Sequence, residues 1–178
     1  MMKRIKLSVT CLSISLLLFS CGSKSNETGG SESTAQDPKA FYDEVTLRVD
    51  NCDNAYFAFN DAVAAAEKND IGIKYDAMVK TFDAEQKQIA NANVATGGAD
   101  QTLSKSFKDA ASKYIDTYVA CGKKELLEIK NYTLEGKTTD DQEVIDADDA
   151  ANDKLGEVTM PFVKLRKEFR DKNGIKKQ

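Results

Sequence analysis

Residues 37–68, DPKAFYDEVTLRVDNCDNAYFAFNDAVAAAEK, decide the fold of this chain. Asp37 is a good N-cap residue, and Pro38 stands at the first helical position, where its missing N–H costs nothing. Beyond them, apolar side chains recur at steps of four and three: Phe41, Val45, Val49, Cys52, Tyr56, Phe59, Val63 and Ala66. This spacing places them on one face of an amphipathic helix. The stretch therefore predicts a long helix that must bury that face against other helices.

Three further segments carry the same periodicity. They cover about residues 71–97, 100–136 and 139–174, and each ends at a glycine, the residue most often found just after a helix. The last one opens with Thr139–Gln142, which matches a capping box. Pro161 lies inside it, and because proline lacks the N–H of the helical ladder we expect a kink or a split there.

Four helices with short connections, none able to bury its apolar face alone, predict an all-α fold. We expect an antiparallel (up-down) four-helix bundle over residues 38–178, with a three-helix bundle and a frayed fourth helix as the alternative. In the up-down arrangement the start of the first helix and the end of the fourth share one end of the molecule. The composition agrees with one globular domain, since 41% of the 178 residues are apolar and 30% are charged.

The amino terminus has the pattern of an export signal. Met1–Lys6 carries three basic residues and no acidic one, and the apolar run Leu7–Ser20 follows. A basic head before a short apolar run is typical of a signal peptide. The run has about 14 residues, fewer than the roughly 20 that a membrane-crossing helix needs, which disfavours an uncleaved anchor. We therefore expect residues 1–20 to be a cleaved signal peptide.

The end of this run, Leu18-Phe19-Ser20-Cys21, resembles the lipobox of bacterial lipoproteins. There a leucine at minus three and a small residue at minus one precede the cysteine. Phe19 departs from the small or β-branched residue usual between them, and the sequence is closer to the looser lipobox of Bacteroidota lipoproteins. The resemblance implies that the Cys21 thiolate accepts a diacylglyceryl group. It also implies a protein of the bacterial cell envelope whose partner is the membrane, through its lipid.

Residues 21–37 then form the lipidated cysteine and a flexible tether. The stretch GSKSNETGGSESTAQD contains small and polar residues and no large apolar one. Gly22 stands where inner-membrane lipoproteins of enterobacteria carry an aspartate. The outer membrane is therefore a better expectation than the inner one, and the periplasmic or surface side stays open.

A second resemblance covers about 70 residues of the domain. Phe107-Lys-Asp-Ala, Tyr114-Ile115, the segment from Phe162 to Phe169 and the final Lys172-Asn-Gly-Ile are similar to uncharacterised helical surface lipoproteins of spirochaetes and Bacteroidota. Those proteins provide no catalytic residues to carry over.

The domain contains two cysteines, Cys52 and Cys121, since Cys11 lies in the signal and Cys21 in the lipobox. Two thiols in an oxidising compartment suggest one disulfide. Against it, the first and third helices lie diagonally in a simple up-down bundle, too far apart for a bridge. Buried core thiols are the alternative, and both possibilities stay open.

Several classes of site are disfavoured. The chain contains no histidine, which removes imidazole triads and histidine-ligated zinc, di-iron and haem sites. The acidic run from Asp140 to Glu157 imitates a calcium loop, but Ala150 and Ala151 replace a ligand and the turn glycine, so a solvated helix face is the better interpretation. Beyond residue 20 the chain has 22 basic and 29 acidic residues, which argues against nucleic acid. We expect no metal and no cofactor.

Two features remain as candidate contact surfaces. Residues 164–178 hold seven Lys or Arg, and we hypothesise that they lie against anionic headgroups. Six aromatic residues could form a pocket for a small apolar ligand: Tyr56, Phe57, Phe59, Tyr75, Tyr114 and Tyr118. The sequence thus predicts a lipid-anchored, noncatalytic bundle that binds an unknown envelope protein or other envelope component. The alternative is a periplasm-facing binding module for a small apolar ligand.

Overall fold

The computed structural model describes residues 36–66, 68–96 and 98–176, and these form an all-α helical bundle. Its helices are α1 (Pro38–Ala64), α2 (Lys68–Asn91), α3 (Gln101–Lys123), α4 (Glu125–Glu135) and α5 (Gln142–Lys172). The predicted fold class is confirmed. The predicted signal peptide, Cys21 and the tether up to residue 35 lie outside the described residues.

The helices run antiparallel to their neighbours. Contacts between side chains give the directions: Phe59 with Tyr75, Gln86 with Asp116, Phe107 with Phe162, and Phe41 with Phe169. The rings of Phe41 and Phe169 have centroids 5.5 Å apart, so the start of α1 and the end of α5 lie side by side, as the up-down arrangement predicts.

Phe107 is the centre of an aromatic cluster at this end of the bundle. Its ring centroid lies 6.0 Å from that of Phe41, 5.8 Å from that of Phe162 and 5.2 Å from that of Phe169. All four side chains are at most 2% exposed. One ring of α3 thus joins α1 and α5, and offset and edge contacts of this kind add to the free energy gained by burial.

The predicted third helix is wrong in one respect, because the chain breaks at Lys124. The backbone of Lys124 has φ −130° and ψ −85°, outside the helical region, and separates α3 from α4. Two residues earlier the carbonyl of Gly122 accepts a hydrogen bond from Tyr75 Oη at 2.7 Å. A Cβ on Gly122 would lie 3.4 Å from Phe82, at ordinary van der Waals distance, so α2 packs directly on this part of α3. Contacts with α2 accompany the break, and α3 and α4 together occupy the third position of the bundle.

The predicted second helix is also too long, since α2 ends at Asn91 and not at the glycine pair. Ala92 and Ala95 are buried in an extended segment, where Ala95 forms an isolated parallel bridge with Gln36. Lys108 of α3 donates to the carbonyls of Ala90 and Ala92 and so replaces a cap at the end of α2.

Other helix ends follow the sequence more closely. Asp37 accepts a hydrogen bond from the backbone N–H of Ala40 at 3.0 Å, which confirms the predicted N-cap. The fourth predicted helix starts later than expected, because Asp141 is the N-cap residue and its carboxylate binds the N–H of Thr138 outside the helix. Pro161 lies inside α5 and does not split it.

One side of the bundle is wider than the others. α1 packs closely on α2, and α5 packs closely on α3 and α4. By contrast, α1 and α5 approach each other mainly through long side chains, such as Tyr56, which donates to Asn152 Oδ1 at 3.1 Å. The α1–α5 side is therefore the place where the bundle surface is open.

The aromatic cluster gives a stability prediction. Phe107→Ala should lower the free energy of unfolding by about 3–5 kcal/mol, because it removes a fully buried ring and leaves a cavity. Phe57→Ala is the matched control, since Phe57 is 59% exposed and its loss should change the value by less than about 0.5 kcal/mol. Urea unfolding followed by circular dichroism measures both. Equal losses in the two variants would contradict the assignment of Phe107 to the core.

Candidate functional site

An open groove of about 770 Å³ lies between α1 and α5, at the end of the bundle where α1 begins and α5 ends. We call it the α1–α5 groove. Its lining residues are Tyr42, Asp43, Thr46, Leu47 and Asp50 from α1, Val163, Arg166, Lys167 and Arg170 from α5, and Ile175 and Lys176 beyond α5. The groove lies here because α1 and α5 are not closely packed against each other.

The α5 side of the groove is cationic. Arg166 and Arg170 are four residues apart and so project from the same face of α5. Arg166 is held in place, since its Nη1 lies 3.7 Å from Asp50 Oδ1 and its Nε donates to Tyr42 Oη at 3.3 Å. Arg170 pairs with its exposed neighbour Asp171 at 2.9 Å. The groove therefore holds two guanidinium groups at adjacent turns.

Apolar side chains line the same groove. Leu47 is 51% exposed and Val163 is 46% exposed, although both belong to otherwise regular helices with buried apolar faces. Ile175 is partly buried against the core at the rim. The apolar and cationic side chains together make this groove amphipathic.

Thr46 lies in the groove wall and is only 8% exposed. Its hydroxyl oxygen is buried and has no hydrogen-bond partner among the described residues. Buried polar groups in folded proteins are nearly always satisfied. This hydroxyl is an unsatisfied polar atom of the groove wall that is closed to solvent.

Asp50 is the carboxylate that faces these cations. Burial raises the pKa of Asp50, while the positive charge of Arg166 lowers it and the nearby Asp53 raises it. Its ion pair with Arg166 also ties α1 to α5 across the groove.

Deeper along the same side, Asp53 accepts hydrogen bonds from two tyrosines of α3. Tyr118 Oη lies 2.6 Å from Asp53 Oδ1, and Tyr114 Oη lies 3.1 Å from it. Burial raises the pKa of Tyr118, and its hydrogen bond to Asp53 raises it further. Both hydroxyls thus stay protonated at neutral pH and act as donors that hold α3 to α1.

The predicted aromatic pocket is core. Five of its six members are at most 8% exposed, and their rings contact one another: the Tyr56 and Tyr118 centroids are 5.7 Å apart, and those of Phe59 and Tyr75 are 5.9 Å apart. The sixth, Phe57, points to solvent. The structure therefore does not bring this set together around a cavity.

Cys52 and Cys121 are free thiols, and both are fully buried. The structure carries them as the core thiols of the alternative, and the tentative disulfide stays a prediction. Cys52 lies near Glu85 and Asp53, whereas Cys121 lies near Glu125 and Lys154, so each side chain has its own surroundings. Burial raises the pKa of Cys52 to about 12 and that of Cys121 to about 11.

The acidic run of α5 is mostly solvent-exposed, with Asp148 partly buried. Burial raises the pKa of Asp148, and the neighbouring Asp149 raises it further. Within residues 36–66, 68–96 and 98–176, no group of three or more Cys, Asp or Glu side chains is placed to hold a metal ion.

Sequence reasoning identified the cations of residues 164–178 but missed the α1 side of the groove. Leu47 and Val163 are the signal that could have found it, because both are apolar and both fall outside the buried face of their helix. Thr46 and Asp50 carry no such signal, since small and acidic residues are ordinary on a helix surface.

In the part of the chain that the structure describes, no helix combines the length and apolarity needed to cross a membrane.

The two buried thiols give a reactivity prediction. Iodoacetamide at about pH 8 should leave Cys52 and Cys121 unmodified in the folded full-length chain, because only the thiolate reacts and burial holds both pKa values well above that pH. In urea both should be modified without prior reduction. Peptide mass spectrometry reads each cysteine separately, and a peptide joining Cys52 to Cys121 in a non-reduced digest would contradict free thiols.

The hydrogen bond between Tyr118 and Asp53 gives a pH prediction. An unfolded tyrosine ionises near its ordinary pKa of about 10, whereas the raised pKa keeps Tyr118 protonated in the fold, so stability is present below that pH and falls above it. From about pH 10 to about pH 11, Tyr118→Phe should lose stability less steeply than the wild type, by about 1 kcal/mol per pH unit. Urea unfolding at several pH values measures the slope. Identical slopes would mean that Tyr118 ionises alike in both states.

Comparison with known proteins gives no relative from which to assign the site: no protein-family model, curated protein or solved structure matches this chain.

Proposed function

We propose that this protein is a lipid-anchored, noncatalytic helical bundle of the bacterial cell envelope, held to the membrane through an acylated Cys21. It acts by binding an envelope component at the α1–α5 groove. The proposal joins the lipobox-like sequence at Leu18–Cys21 to the properties of the groove. Gly22 after the cysteine favours the outer membrane over the inner one.

The observation that carries the proposal is the position of the groove relative to the start of the domain. Gln36 lies next to Ala95, and α1 begins two residues later. The same end of the bundle holds the last turn of α5 and the groove. An anchor at Cys21 would therefore join the domain at the end that holds the groove.

The chemistry of the groove supports a binding role. It offers two guanidinium groups, two lysine side chains and exposed apolar side chains. The cations can bind a negatively charged group of a partner, and the apolar side chains can pack against its apolar part. The Asp50 carboxylate is paired with Arg166, which gives it a role in positioning that side chain.

A binding module for a small apolar ligand is the second candidate. The exposed side chains of Leu47 and Val163 favour it, because they offer apolar contact in a concave place. The groove, and not the tyrosine core, would then be the ligand site.

Metabolic labelling tests the anchor. When the full chain is produced in bacteria that process lipoproteins, radiolabelled palmitate should appear in the mature protein, because Cys21 accepts the acyl groups. Cys21→Ser should abolish the label, since an oxygen nucleophile does not replace the thiolate. Cys11→Ser is the matched control and should leave the label unchanged. Label that persists in Cys21→Ser, or is lacking in the wild type, would reject the proposed anchor.

A further inference from the structure

We infer that the α1–α5 groove binds one anionic lipid molecule, with its headgroup against Arg166 and Arg170 and its apolar part along Leu47 and Val163. The inference names the chemical class of the envelope component in the proposed function and rests on that function for its biological setting. The binding itself needs no acyl group at Cys21.

The charge of the groove is opposite to that of the domain around it. Residues 36–176 contain 20 Lys or Arg and 27 Asp or Glu. The groove lining holds four cations and two carboxylates; Arg166 pairs with Asp50, and Arg170 and Lys167 both pair with Asp171 outside the lining, so the lining has a small positive excess. Because like charges repel anions elsewhere on the surface, an anionic ligand is directed to this place.

The two arginines suit a phosphate-like headgroup. They are one helical turn apart on α5, about 6 Å along the axis. Arg170 donates from Nε and Nη2 to the exposed Asp171, so a phosphate would bind through the remaining N–H groups of the two arginines or would displace Asp171. Such charge-assisted bonds are stronger than neutral ones. Arg166 is also preorganised by Tyr42 and Asp50, so little of its freedom is lost on binding.

The apolar side chains decide between a lipid and a free anion. A free phosphate would leave Leu47 and Val163 exposed to water, whereas an acyl chain would cover them. The groove volume of about 770 Å³ falls within the range of about 300–1,000 Å³ that is usual for sites of small molecules. A lipid headgroup with the first part of its chain fits this combination of size, charge and apolar surface.

Isothermal titration of the full chain with short-chain lipids tests the inference. Dihexanoyl phosphatidylglycerol, kept below its critical micelle concentration, is the main probe. Dihexanoyl phosphatidylcholine has the same tails without the net charge, and glycerol phosphate has the charge without the tails. We expect phosphatidylglycerol to bind at one site and at least about tenfold more tightly than either of the others, a difference that calorimetry resolves.

Variants locate the binding. Arg170→Gln should weaken phosphatidylglycerol binding by about tenfold, and Lys167→Gln with Lys176→Gln, both at exposed positions, should weaken it about threefold to tenfold. Leu47→Ser with Val163→Ser should also weaken it, while leaving the charge unchanged. Lys74→Gln with Lys105→Gln is the matched control, since these exposed lysines lie outside the groove and their loss should not matter. Circular dichroism shows which variants are folded, and the exposed lysine pair keeps the test valid if Arg170→Gln is not.

Several results would overturn the inference. Equal binding of phosphatidylcholine would mean an apolar site without charge recognition, and equal binding of glycerol phosphate would mean an anion site only. The same loss in the Lys74 and Lys105 control would mean a general charge effect, possible at any basic surface. A concentration-dependent dimer in sedimentation equilibrium, lost in the Leu47 and Val163 variant, would mean that a second copy of the chain covers the groove.

The test is separable from that of the proposed function. Because the apolar segment Leu7–Ser20 is common to the wild type and every variant, differences among them report the groove. Binding in vitro with no palmitate incorporation in cells would keep the lipid site and reject the anchor. Incorporation without lipid binding would keep the anchor and reject the lipid site.

Discussion

The contact of Phe107 with Phe41, Phe162 and Phe169 is the interaction on which this end of the molecule depends. A single ring of α3 occupies the centre between α1 and α5. Phe41 of α1 and Phe169 of α5 contact this ring and also each other. The α1–α5 groove lies at the same end of the bundle.

Much of the fold could be predicted because it depends on local periodicity. The apolar stripe of α1 and the Asp37 cap follow from side-chain chemistry within one helix. The break at Lys124 could not be predicted in the same way, because it occurs beside the contact of Tyr75 and Gly122, which are 47 residues apart in the chain. Likewise α2 ends early where Ala95 meets Gln36, a pairing that exists only after folding.

The candidate site was predictable only on its basic side. The cations near the C-terminus are visible as a run, whereas Thr46 and Asp50 become meaningful only when α1 is placed beside α5. For Cys52 and Cys121 the diagonal objection does not hold in the structure, because Tyr114 and Tyr118 of α3 contact Asp53 of α1. The aromatic set was misinterpreted, because buried rings at helical spacing fill the core. The open surface carries Leu47 and Val163, which lie outside the buried faces of their helices.

Tyr114 and Tyr118 both donate hydrogen bonds to Asp53. These bonds fix the position of α1 along the bundle axis. Apolar contacts alone would allow α1 to slide along its neighbours, because contacts between apolar side chains at successive turns are similar. A shift of α1 by one turn, about 5.4 Å, would move the Asp53 carboxylate away from both phenols. The carboxylate would then lie among aromatic rings without a hydrogen-bond partner, which is costly. Asp53 therefore selects one axial position of α1 among several positions whose apolar contacts would be similar.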